Sequence, residues 1–171
     1  MKNHKVILYL AFVVLSILPT LSFSQPPTDS LPGDPGAISV YTIQEMSFGA
    51  FTQGASGGTV VISNTGVRSA TGAVVLLNLG VAYHQSVFEI DASEGSIISI
   101  MYGPNTTLTS SNGGTMTLSL GPSSPASPFA TIVQHPMRTE VSIGGTLTVG
   151  NATASPPGTY TGTFYVTVNQ E

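Results

Sequence analysis

TTLTSSNGGTMTLSL, residues 106–120, decides the fold class. Its second half alternates without a break: Met116, Leu118 and Leu120 fall on one side, Thr115, Thr117 and Ser119 on the other. A period of two belongs to a pleated strand with one face on a core and the other in water. The first half, TTLTS, has the same β-branched chemistry, and Ser111-Asn112-Gly113-Gly114 stands between the two. Asn-Gly supplies the positive φ angles that a hairpin connection needs, so the stretch predicts two antiparallel strands joined by a turn.

The same punctuation runs outward in both directions. Short β-branched and aromatic runs, cut by Gly, Asn, Ser and Pro, predict strands at ISVYTI (38–43), MSFGAF (46–51), TVVIS (59–63), AVVLLNL (73–79), SVFEID (86–91), SIISIMY (96–102), TEVSI (139–143), GTLTVG (145–150) and GTYTGTFYVTV (158–168). Many short strands at such spacing indicate an all-β sandwich or barrel. AVVLLNL is almost continuously apolar, which predicts a strand buried on both faces. Residues 121–138 carry four prolines and read as a long surface excursion, with Phe129, Ile132 and Val133 tucking it onto the core. Beyond the N-terminus no window shows a 3.6-residue stripe, so helix is expected to be minor.

The N-terminus reads as an address. Lys2 and Lys5 precede a 13-residue apolar run, 6–18, then Pro19, with Ser22 and Ser24 at the −3 and −1 positions before Gln25. This is the tripartite pattern of a secretory signal peptide, 1–24, and the run is short for a membrane span of about 20 residues. The expected mature chain has no integral membrane anchor and travels to the periplasm, the cell surface or beyond. Residues 25–36, QPPTDSLPGDPG, hold four prolines and read as a flexible leader before a single domain, 37–171. Cleavage leaves two arginines against eight acids, a net charge of −6, and no lysine. Nucleic acid and anionic membranes are therefore poor partners. Without lysine no Lys–Asn isopeptide bond can form, and without cysteine no disulfide can.

No residue set reads as catalytic, no cofactor is expected, and the chain is read as a non-enzyme. His84 and His135 are isolated, without a second His or a Cys at metal-site spacing. Glu89, Asp91 and Glu94 are the densest acids, and Glu89 and Asp91 share one strand face. A solvated acidic face is the favoured reading over a calcium site, since no Asp-x-Asp-x-Asp-Gly loop is present. No G-x-S-x-G elbow occurs, and GASGG (54–58) follows no strand-to-helix pattern, so its glycines belong to turns. Asn151, in a glycosylation-type sequon, predicts an exposed turn before Ser155-Pro156-Pro157.

MSFGAF, GGTVVISNTGVRSATGAVVLL (57–77), TLTSSNGGTMTL (107–118) and GGTLTVGNATASPPGTYTGTFYVTV (144–168) together resemble the domain of unknown function 4402 family, small exported bacterial β proteins. Through an "SFG" segment and the closing GTYTGTF-x-VTV pattern, that family is similar to spore-coat-U and chaperone–usher fimbrial subunits. The resemblance implies an immunoglobulin-like (pilin-like) antiparallel β-sandwich that assembles by strand addition with copies of itself, or with a surface assembly and its chaperone. It also implies a candidate assembly strand that begins at Gly158 and presents Tyr160, Gly162, Phe164, Val166 and Val168 on one face. Two features depart from those subunits: Gln170 stands where an aromatic is usual, and 25–36 is Pro/Gly-rich where their donor segment alternates.

Two functional readings stay open. One is a structural surface subunit, with Phe164 as a core anchor. The other is a self-complete binding or adhesion module presenting 79–85, with Tyr83 and His84, or 121–138 to a glycan or protein.

Overall fold

The computed structural model describes residues 38–171. The expected signal peptide 1–24, its cleavage point between Ser24 and Gln25 and the leader 25–36 lie outside the described residues. Those residues are all-β, with no helix, and every ladder is antiparallel. In chain order the strands are β1 (Ser39–Gln44), β2 (Ser47–Phe48), β3 (Phe51–Thr52), β4 (Gly58–Ile62), β5 (Arg68–Gly72), β6 (Val75–Leu76), β7 (Tyr83–His84), β8 (Ser86–Asp91), β9 (Ile97–Tyr102), β10 (Thr106–Ser110), β11 (Thr115–Ser124), β12 (Phe129–Ala130), β13 (Thr139–Val149), β14 (Tyr160–Thr161) and β15 (Val166–Gln170).

The hairpin forms as its chemistry demands. Leu108 faces Met116 and Thr109 faces Thr115, and the Gly113 N–H donates to the Ser110 carbonyl at 3.0 Å. Gly113 and Gly114 carry the positive φ angles, 80° and 81°, where a side chain would be strained. Met116 and Leu118 are buried, Leu120 is half-buried and Thr115, Thr117 and Ser119 are exposed.

β13 organises the rest. It joins TEVSI and GTLTVG, which read as two strands, into one of 11 residues. The glycines between them permit this, because a Cβ on Gly144 would overlap the Ile62 carbonyl oxygen. One flank of β13 pairs with β11; the other is shared, by β8 along 139–143 and by β4 along 145–149. With β1 outside β8, β5 outside β4, and β10 then β14 outside β11, this makes an eight-stranded sheet that curls as a half-barrel. β12, β9 and β15 form a three-stranded sheet, and β2–β7 and β3–β6 are short ribbons.

Two apolar clusters fill the fold. Val60, Ile62, Leu108, Met116, Leu118, Leu147 and Val149 from the curled sheet meet Phe48 and Val74. Ile90, Val141 and Ile143 meet Ile98 and Ile100 of β9 in the second cluster. Leu120 packs against both. Each fully buried Ile or Val contributes about 1.5–3 kcal/mol relative to exposure, so these clusters hold the layers together without covalent staples.

Several sequence readings need correction. AVVLLNL is not a doubly buried strand: only Val75–Leu76 is β, and Val75 and Leu79 are 57% and 70% exposed. It lies at the periphery, where Val74 and Leu76 reach the core and the only ladder partner is two-residue β3. MSFGAF breaks at Gly49, whose φ of 67° ends β2 and whose lack of a side chain lets the Arg68 guanidinium come close. Residues 121–138 are only partly an excursion. β11 continues through a bulge to Ser124, and Phe129 starts β12 and packs on the second cluster. Val133 is half-buried, but Ile132 is 82% exposed. β5 and β7 were not expected as strands, being polar or only two residues long.

GTYTGTFYVTV is likewise two strands. β14 pairs with β10, β15 pairs with β9, and the final stretch follows its neighbour as that chain steps between sheets through Gly103-Pro104-Asn105. Pro104 has no N–H, so the ladder cannot continue past it. A Gly103 N–H bond to the Tyr165 carbonyl (2.9 Å) and a Thr106 hydroxyl bond to the Thr163 carbonyl (3.3 Å) bridge the gap.

Candidate functional site: an open seam between the first and last strands

The strands nearest the two ends of the described chain are both edge strands. β1 pairs with β8 on one flank and closes the curled sheet at that side; β14 closes it at the other, and β15 ends the second sheet. Each has ladder partners on one side only. β1, SVYTIQ, contains no proline or lysine, two of the devices that blunt an edge, and has one irregularity, a register shift between Thr42 and Gln44. Val40 and Ile43 are 44% and 56% exposed.

Between these edges the fold stays open. A cavity of about 550 Å³ lies between Val40, Thr42, Glu45 and Met46 on one wall and 162–166 on the other. A second, of about 680 Å³, lies between 45–53 and 156–162, and its floor is Leu108, Met116, Leu118 and Leu147 of the first core cluster. Both are lined by Glu45, Met46, Gly162 and Phe164, so they form one continuous seam. The floor residues are themselves buried, each at most 9% exposed, so what the seam leaves open is its strand edges and the half-buried Met46 and Phe164.

Specific bonds hold the walls. Arg68 donates to the carbonyls of Phe48 (3.1 Å), Ala50 (3.3 Å) and Leu77 (3.2 Å), tying the β2–β3 wall to the β6–β7 segment. Its guanidinium also stacks 4.1 Å from the centre of the Tyr83 ring. On the opposite wall fully buried Ser155 donates to the Thr115 carbonyl (2.7 Å) and accepts from the Gly150 N–H (3.0 Å). Gln53 spans the walls by donating to the Ser155 carbonyl at 2.7 Å. The Tyr160 hydroxyl donates to the Pro156 carbonyl at 2.6 Å, and burial pushes its pKa above the ordinary 10.0.

The residues expected on the assembly strand divide between the two cores. Tyr160 and Phe164 are half-buried against the first cluster, Val166 and Val168 against the second. Gly162 is exposed on its seam side, yet a Cβ there would come within 3.2 Å of the Leu108 Cγ, so glycine lets the strand sit close to β10. Gly158 is exposed beside Ser110 and Asn112. Phe164 is thus a seam-lining residue and not a fully enclosed anchor.

The opposite wall, with Val40, Glu45 and Met46, was not among the expected site residues. Its sequence signals were ISVYTI and the start of MSFGAF, strands whose bare flanks no local pattern announces.

Other candidates sit elsewhere. Glu89 accepts from Arg138 at 3.2 Å, and Asp91 lies 3.0 Å from His135 Nδ1, so neither this pair of acids nor His135 is isolated. Arg138 also covers the Tyr41 ring at 3.8 Å. His84 is half-buried in β7, with a buried Nδ1 that has no hydrogen-bond partner. Tyr83, a proposed stacking platform, has one ring face under Arg68. Glu94 is exposed in a turn, and Asn151 caps its own exposed turn by accepting from the Thr153 and Ala154 N–H groups. Among the described residues no three acids or histidines converge to hold a metal, and no helix is long and apolar enough to cross a membrane.

A family model described as "Domain of unknown function (DUF4402)" matches residues 38–170. No curated protein and no solved structure matches the chain.

Proposed function

We propose, for a chain that belongs to the DUF4402 family, a non-enzymatic structural role at or outside the cell surface: it accepts an extended strand from a partner into its seam. The finer fold reading that goes with this role is an immunoglobulin-like, pilin-like sandwich lacking one strand between its first and last. The observation that carries the proposal is the pair of adjoining cavities beside β1 and β14, strands with a ladder partner on one flank only.

Strand addition supplies main-chain hydrogen bonds for affinity and alternate side-chain holes for specificity. The test uses the mature protein, 25–171, with a soluble strand peptide of alternating valine and threonine. The expected result is a melting temperature that climbs with peptide concentration, because a ligand that binds only the folded state stabilises it by RT ln(1 + [L]/Kd). Amide exchange should slow in β1 and along 160–170. A melt unmoved by peptide, with unchanged exchange along both edges, would overturn the reading.

A further inference from the structure

We infer that the strand seated in this seam comes from a different protein and carries a lysine or arginine opposite Glu45. The inference rests on the strand-accepting reading and names the kind of partner.

Glu45 stands where the two cavities meet and is exposed there. Among the described residues it forms no ion pair. Both cations of the described chain are engaged elsewhere, Arg68 by three carbonyls and Tyr83, Arg138 by Glu89 and Tyr41. A strand laid over the seam would bring its side chains beside the Glu45 carboxylate, where a cation is favoured and an anion repelled. The occupant that fits therefore brings a cation at the middle of an otherwise apolar, alternating segment.

A second copy of this chain does not supply one. Its segment 25–37, the N-terminus expected after cleavage, has no Lys or Arg and carries Asp29 and Asp34, which would repel Glu45. The same segment has prolines at 26, 27, 32 and 35, leaving TDSL (28–31) as its longest proline-free run before Pro32. Proline offers no N–H to a strand edge, so that segment cannot sustain a ladder along the seam. The chain thus has the features of an acceptor without those of a matching donor, and charge complementarity points to a heterologous partner.

The mature protein would be titrated with three sets of labelled peptides. These are alternating valine/threonine strands with a single lysine walked along them, the same strands with glutamate, and the chain's own 25–37. One lysine position should bind about 1.4- to 5-fold tighter than its neighbours, as for a solvent-accessible ion pair. That preference should pass to glutamate in Glu45→Lys, vanish in Glu45→Gln and fade at high salt. If strand peptides bind with no lysine preference, or the 25–37 peptide binds as well, the heterologous-partner inference falls and strand acceptance stands. If none binds, both fall.

Discussion

Replacing Arg68 by methionine removes the bonds that hold one wall of the seam while keeping the length of its apolar stem. The guanidinium makes three hydrogen bonds to backbone carbonyls and one cation–π contact. A hydrogen bond involving a charged group contributes about 1.5–3 kcal/mol, and an exposed cation–π contact about 0.5–1 kcal/mol. Arg68 is only half-buried, so water can reach part of what the substitution uncovers, and the terms share one side chain and do not add. The expected loss is about 2–4 kcal/mol, a large share of the 5–15 kcal/mol typical of a domain. Arg68→Lys should recover less than half, because a point charge cannot reach three carbonyls spread over Phe48, Ala50 and Leu77. Urea unfolding of 25–171 reads this as a lower midpoint with an unchanged slope. Amide exchange should rise first at Leu77, whose N–H donates to the Ala50 carbonyl at 2.9 Å. A loss below about 0.5 kcal/mol, with protection at Leu77 intact, would refute the claim that Arg68 sets the wall.

Three further outcomes are expected. Ser155→Ala leaves the Gly150 N–H and the Thr115 carbonyl without their partner in a fully buried site, and should cost about 1–3 kcal/mol in the same urea assay. Phe164→Ala should cost about 2 kcal/mol, below the 3–5 kcal/mol of an enclosed phenylalanine; a loss at the upper figure would mean the seam is shut in solution. Tyr160 stays protonated to higher pH in the folded state than in the unfolded one. The stability this provides is fully present below the unfolded pKa, near 10, and is lost as pH rises through the folded value. Melting temperatures followed from about pH 9 to about pH 11 should fall less steeply in Tyr160→Phe than in the parent; parallel slopes would contradict the assignment.

What was legible in the sequence is what local chemistry dictates. β8 and β10 appear at the bounds their patterns predict, 86–91 and 106–110, because each is a β-branched run closed by turn residues. The hairpin is a short-range structure that Gly113 and Gly114 make possible. Tyr160, Phe164, Val166 and Val168 are half-buried while their odd-numbered neighbours are exposed, because a period of two survives the break in the ladder at Pro104. These gave the all-β class and one wall of the site.

Tertiary structure alone decided which flank of each strand stays bare. Nothing in SVYTIQ states that β8 takes one side and nothing takes the other, since its partner lies more than forty residues away in sequence. The same holds for AVVLLNL, whose apolarity was real but whose burial depended on how little of the chain came to cover it. Glu45 shows the limit most plainly. Beside an alternating strand it reads as one more solvated acid, and only the pairing of distant segments sets it, unpartnered, at the centre of an open seam.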